Sequence, residues 1–132
     1  MKGERCIMRY PTAKAMTSLS EKLNLPKQTP YYQDWEYEVV DFKRIHEFIA
    51  HYENNSDDDE KFTLMIIIIA SCNDALEEGG FSESVWERVK TFLIKDNNLH
   101  KDTIDYWSLE SYEKLEDCFE ITPLIRAIKS CL

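Results

Sequence analysis

Residues 57–80 read DDDEKFTLMIIIIASCNDALEEGG, and the reading of this stretch decides the fold. Phe62, Met65, Ile66, Ile69, Cys72 and Leu76 recur at steps of three and four, the spacing that gives a helix one apolar side. The four consecutive isoleucines at 66–69 also suit a buried strand, because branching at Cβ favours extended backbone. Length decides between the two. The pattern persists for about six helical turns, whereas a strand runs about four to eight residues. The spacing therefore predicts a helix, with Ser56 as its N-cap, three aspartates at the positive end of its dipole, and Gly79-Gly80 as its stop.

Working outward, Trp35, Val39, Phe42, Ile45, Ile49 and Tyr52 keep the same period, which predicts one continuous helix over 34–53. Downstream, Ser82 is placed to cap a helix whose buried side is Val85, Trp86, Val89, Phe92 and Leu93. Phe81 and Trp86 are spaced as a hydrophobic staple across its start, and Asn97-Asn98 ends it. A short helix is expected over 100–107, then a helix bearing Leu109, Tyr112, Leu115 and Phe119. Thr122-Pro123 reads as an N-cap followed by proline in the first helical position, opening a last helix with Leu124, Ile125 and Ile128 inward. The expected architecture is all-α, a single-domain bundle of about six helices with short connections.

Composition agrees with one domain. The chain has 132 residues, 43% hydrophobic and 12% aromatic, with only three Gly and four Pro, which argues against collagen-like or disordered sequence. A chain of this size buries roughly two thirds of its unfolded surface and needs neither disulfide nor metal to fold. Cys6, Cys72, Cys118 and Cys131 are widely spaced in apolar stretches and read as reduced core thiols. The first residues have no apolar leader, and the longest apolar run, 64–70, is far short of the about 20 residues of a membrane span. A soluble cytoplasmic protein is the expectation. Net charge is −9, and it is uneven: residues 1–30 carry +4 and residues 31–132 carry −13. A basic helical arm or lid (1–30) on an acidic helical body (31–132) follows, separated by Pro26 and Pro30. Such a body disfavours direct contact with nucleic acid or anionic lipid and suits a basic macromolecule.

Motifs for chemistry are sparse. His46 and His51 in HEFIAH stand five apart, which turns them about 140° from each other on a helix, so they do not form the pair of zinc ligands that a spacing of four provides. Glu47 and His51 share a face but make only half a site. Asp57, Asp58, Asp59 and Glu60 lack the alternation and the glycine of a calcium loop. They read as a solvated helix start and, functionally, as an acidic corner for a basic partner. No dinucleotide fingerprint, P-loop or nucleophile elbow occurs, and no metal or cofactor is expected. Arg44 and His51, with six residues between them, resemble the Arg-x(4–6)-His pattern of the all-α HEPN ribonucleases. In that chemistry the arginine would stabilise phosphate charge and the histidine would move protons. Against it stand Ile45, where that family carries a polar residue, and an overall charge that repels RNA.

Aromatic residues interleaved with carboxylates are the remaining signal. Tyr31, Tyr32, Trp35 and Tyr37 alternate with Asp34, Glu36 and Glu38, while Tyr106 and Trp107 lie between Asp105 and Glu110. Aromatic anchors among acids compose a binding surface for a cationic protein. The segments YYQDWEYEVVDFKRIHEFI (31–49) and YWSLESYEKLEDCFEITPLIRAI (106–128) resemble the immunity proteins of bacterial polymorphic and contact-dependent toxin systems. The resemblance is one of character over 31–132 and transfers no individual residue roles. It implies a protein without chemistry of its own that blocks the active site or substrate cleft of a cognate toxin, often a basic nuclease. A HEPN-like ribonuclease or inactive relative, and a helical adaptor in a regulatory complex, are the alternative expectations.

Overall fold

The structure is a computed structural model and describes residues 9–28 and 34–132. Its order is α1 (Ala13–Lys22), α2 (Trp35–Glu38), a 3-10 turn (Phe42–Arg44), α3 (Ile45–Glu53), α4 (Asp58–Glu78), α5 (Glu83–Lys95), α6 (Lys101–Ser108), a second 3-10 turn (Leu115–Asp117) and α7 (Thr122–Lys129). There is no strand among the described residues, so the chain is all-α.

The isoleucine run lies in α4, a helix of 21 residues, and α4 is the axis of the fold. Every residue from 62 to 73 is buried, so the apolar side extends around the whole helix rather than along one stripe. Packing of α1, α2 and α3 against α4, with α5 on a further side, produces this enclosure. α7 then joins α5 to α6. Polar residues of the buried helix are all paired: Thr63 Oγ1 donates to Asp59 O at 2.9 Å, Ser71 Oγ accepts from Asp41 N at 3.3 Å, and Asn73 Oδ1 accepts from Ile121 N at 3.0 Å. The last two fasten loops to the axis, since each satisfies a backbone N–H that the loop leaves over. No helix among the described residues is long and apolar enough to cross a membrane.

Several local expectations hold. Gly79, at φ +83°, ends α4 in the left-handed region that glycine enters without a Cβ penalty. Ser82 caps α5 by accepting from Val85 N at 3.3 Å, with the Phe81 and Trp86 rings 6.3 Å apart across it. Residues 9–28 of the basic segment include α1 (Ala13–Lys22), capped by Thr12, and place Leu19, Leu23 and Leu25 in the common core.

Five expectations are corrected. Residues 34–53 do not make one helix. Asp41 is extended (φ −159°, ψ 102°); its carboxylate takes the Lys43 N–H while its own N–H goes to Ser71, so the chain turns between α2 and α3. The N-cap of α4 is Asp57, which accepts from Glu60 N at 3.0 Å, rather than Ser56. No helix spans Leu109 to Phe119. Leu109 adopts φ +42° and closes α6, and the Arg126 guanidinium takes the carbonyls of Ser108 (2.6 Å), Leu109 (2.6 Å) and Tyr112 (2.9 Å), holding the segment as a loop. Thr122 is the first residue of α7 rather than its cap, because its hydroxyl donates to Trp107 O at 2.8 Å. Of the three described thiols only Cys72 is a core residue, and burial pushes it up to about 12; Cys118 is half-buried and Cys131 exposed. Cys6, Tyr31 and Tyr32 lie outside the described residues.

Candidate functional site

The four wall segments of the site are far apart in the sequence. Helix α2 presents Glu36 and Tyr37, α6 presents Asp102, Thr103, Tyr106 and Trp107, α4 contributes Phe62 and Ile66, and the segment leading into α1 brings Arg9. Together they bound an open cleft of about 180 Å³. Its aromatic wall is continuous. The Tyr37 ring lies 6.4 Å from both Tyr106 and Trp107, these two meet edge to face at 5.4 Å, and Phe119 backs the Trp107 ring at 4.5 Å. Offset and edge-on contacts of this kind hold rings rigidly while leaving part of their surface open. Tyr106 is 50% exposed even so.

Charge in the cleft is unbalanced. Arg9, the one basic residue among the described residues of the lining, is occupied by Asp59 at 2.9 Å and lies 5.5 Å over the Phe62 ring, while its backbone N–H donates to Asp102 at 2.9 Å. Glu36 is half-buried, and no cation among the described residues pairs with it. Burial, then repulsion from Asp34, raises its pKa above the usual carboxylate value. Burial with the neighbouring Tyr106 and Glu36 likewise raises the Tyr37 phenol. Two donors complete the picture: the Trp107 indole Nε1–H and the Thr103 hydroxyl are buried and meet no partner among the described residues. Both atoms are enclosed by the protein, with no surface open to the cleft.

The residues singled out from sequence therefore divide. Glu36, Tyr37, Tyr106 and Trp107 converge on the cleft. Trp35 does not form surface: it is fully buried and donates from Nε1 to Pro26 O at 2.7 Å. Asp34 and Glu38 flank α2 as exposed acids. In the acidic corner Asp57 is a cap and Asp59 holds Arg9; Asp57 and Asp58 are both exposed and neither has an ion pair among the described residues. Glu60 leaves the surface. It is buried and accepts from Ser18 and Asn55 (each 2.9 Å) and from Lys22, with His51 at 3.6 Å; burial opposes its ionisation, but these bonds hold it below the usual carboxylate range. Asp105 binds Lys101 and Lys129, and Glu110 also binds Lys129, on the side of α6 that meets α7.

Arg44 and His51 do not converge. The Arg44 guanidinium is held by Glu47 and the carbonyl of Leu23, and His51 faces Asn55 and Glu60. A second polar cluster, without any signal in the sequence, joins Tyr52, Asp96, His100 and Lys61. Tyr52 Oη lies 2.7 Å from both Asp96 Oδ2 and His100 Nε2, and Lys61 Nζ lies 3.1 Å from Asp96. A phenol has one proton, and the charged carboxylate is its stronger acceptor, so Tyr52 donates to Asp96 and receives the Nε2–H of His100. The His100 Nδ1 lone pair is then the unpaired atom, in agreement with its isolation in the core. His100 is wholly buried, whereas Asp96 is half-buried and borders an open pocket with Arg9, Asp58 and Lys95. No group of three or more His, Cys, Asp or Glu among the described residues is arranged to hold a metal ion.

No protein-family model, curated protein or solved structure matches the chain.

Proposed function

We propose that this is an immunity protein, which binds and neutralises a cognate basic toxin domain by covering its active site or substrate cleft. The observation that carries this reading is the aromatic cleft whose half-buried carboxylate, Glu36, has no described cationic partner. Rigid rings supply contact area at little entropic cost, and an acid without a partner supplies complementarity to a basic surface. A body of charge −13 over residues 31–132 adds long-range attraction for such a partner. Glu36, Tyr37, Asp102 and Tyr106 are the contact residues in this reading, flanked by Asp34, Glu38 and Asp58.

The test is capture of the adjacent reading frame's product by the full chain at low and moderate salt, with co-expression to score toxicity. A one-to-one basic partner that loses toxicity on binding supports the proposal. Its association should slow several-fold between about 50 and 300 mM salt, as steering is screened. A neighbouring product that neither binds nor is neutralised refutes it.

A further inference from the structure

The basic segment ahead of the core changes character at Thr12. Beyond that cap α1 is held from inside: Leu19 is fully buried, and Ser18 and Lys22 reach the buried Glu60. Residues 9–11 have no such hold. Among the described residues, Arg9 supplies the hydrogen bonds and the ion pair of this segment, to Asp59 at the start of α4 and to Asp102 on α6, and both bonds are exposed to solvent. Tyr10 is 69% exposed, and Pro11 has no N–H to give. Exposed ion pairs hold a chain weakly, and backbone with few buried contacts opens first.

The place of this weakly held segment is specific. The aromatic cleft between α2 and α6 and a second open cleft of about 400 Å³, bounded by Asp58, Lys95, Asp96 and Asn98, share one described lining residue, Arg9. Its guanidinium also lies over the Phe62 ring, at the floor of the first cleft. One side chain therefore separates two spaces and covers an aromatic face. We propose that residues 9–11 are a displaceable strap. With Arg9 in place there are two clefts; with the strap swung out about Thr12 they run together into one groove, from Glu36 across Phe62 to Asp96. The strap controls access to that groove whatever occupies it, so the proposal stands apart from the toxin reading.

The full chain, labelled with ¹⁵N and ¹³C, is studied at about 50 mM and 1 M salt, concentrations between which exposed charges are screened. Solvent exchange of the residue 9 amide reports the strap and the Leu19 amide reports α1. Broadening of the Phe62 ring resonances by a neutral gadolinium chelate reports the joined groove. Lys27→Ala, an exposed site lining neither cleft, removes the same charge as Arg9→Ala and serves as control. High salt should raise exchange at Arg9 about two- to fivefold, the equivalent of one exposed pair, with Leu19 unchanged. Arg9→Ala should broaden the Phe62 ring at least about twofold beyond wild type, as a site newly open to solvent, while Lys27→Ala matches wild type and Leu19 stays protected in all three proteins. An Arg9 amide as protected as Leu19 at both salts, opening of α1 together with residues 9–11, or a Phe62 ring still shielded in Arg9→Ala overturns the proposal. None of these outcomes bears on capture of a toxin, and failure of that capture leaves the strap standing.

Discussion

Lowering the pH from 7 to 5 should weaken this protein through one side chain. His100 is fully buried, hydrogen-bonded through Nε2 to Tyr52, and its Nδ1 has no partner, so a second proton would be a buried charge. Burial lowers its pKa from 6.5 to about 4, with Lys61 and Arg9 adding to the effect and Asp96 opposing it. A folded-state pKa below the unfolded value means that the unfolded chain binds the proton first. Stability is therefore complete above about pH 6.5 and is lost as pH falls toward 4. The full displacement amounts to about 3 kcal/mol, of which about 2 kcal/mol is gone by pH 5. Glu36 and Asp74, whose pKa values are raised chiefly by burial, contribute to the pH dependence with the opposite sign. A difference measurement removes them. Urea unfolding followed by circular dichroism at pH 7 and pH 5 should show wild type losing about 2 kcal/mol more than His100→Phe. The phenyl ring keeps the packing beside Tyr52, which still donates to Asp96. Parallel pH profiles for the two proteins would refute the buried neutral imidazole.

Other expectations follow from the same geometry. Arg126→Met should destabilise by about 2–3 kcal/mol, because three loop carbonyls lose a charged donor; hydrogen exchange should then accelerate first over residues 109–119. Glu60→Gln should cost about 1–3 kcal/mol in urea unfolding and, under the immunity proposal, leave partner affinity unchanged, since this acid is bonded inward to Ser18, Lys22 and Asn55. Gly79→Ala forces a side chain into φ +83° and should lower stability by about 1 kcal/mol in the same assay, although no atom lies in the way of the added Cβ.

Legibility from sequence followed the range of the forces involved. Helices α4 and α5 with their stops and the cap of α5 were readable, because periodicity, Gly79 and Ser82 act within a few residues of their own positions. The breaks at 39–44 and 109–121 were not, since the groups that make them are distant in sequence: Ser71 receives the Asp41 N–H, and Arg126 gathers three carbonyls from the preceding loop. Leu109, Tyr112 and Leu115 keep a helical spacing that tertiary hydrogen bonds override. The site shows the same division. Glu36, Tyr37, Tyr106 and Trp107 stood out as two clusters about 70 residues apart, with no local signal that α2 and α6 close on one cleft. Phe62 was legible only as part of the apolar side of α4, and Arg9 and Thr103 had no distinguishing context. Burial of Trp35 and Glu60 reflects neighbours in the Pro26 and Ser18 regions that composition does not reveal.

The enclosure of α4 also bears on how the chain is made. Its first wrapping, α1 to α3, precedes it during translation, but α5 to α7 follow in residues 79–132. At about 5–20 residues per second, the ribosome leaves the far flank of the isoleucine run uncovered for roughly 3–10 s. An extended, uncharged run with strong β preference is a hazard for intermolecular pairing during that interval. The acids at 57–60 and 77–78 bracket the run, and their charge keeps nascent chains apart until the last helix arrives.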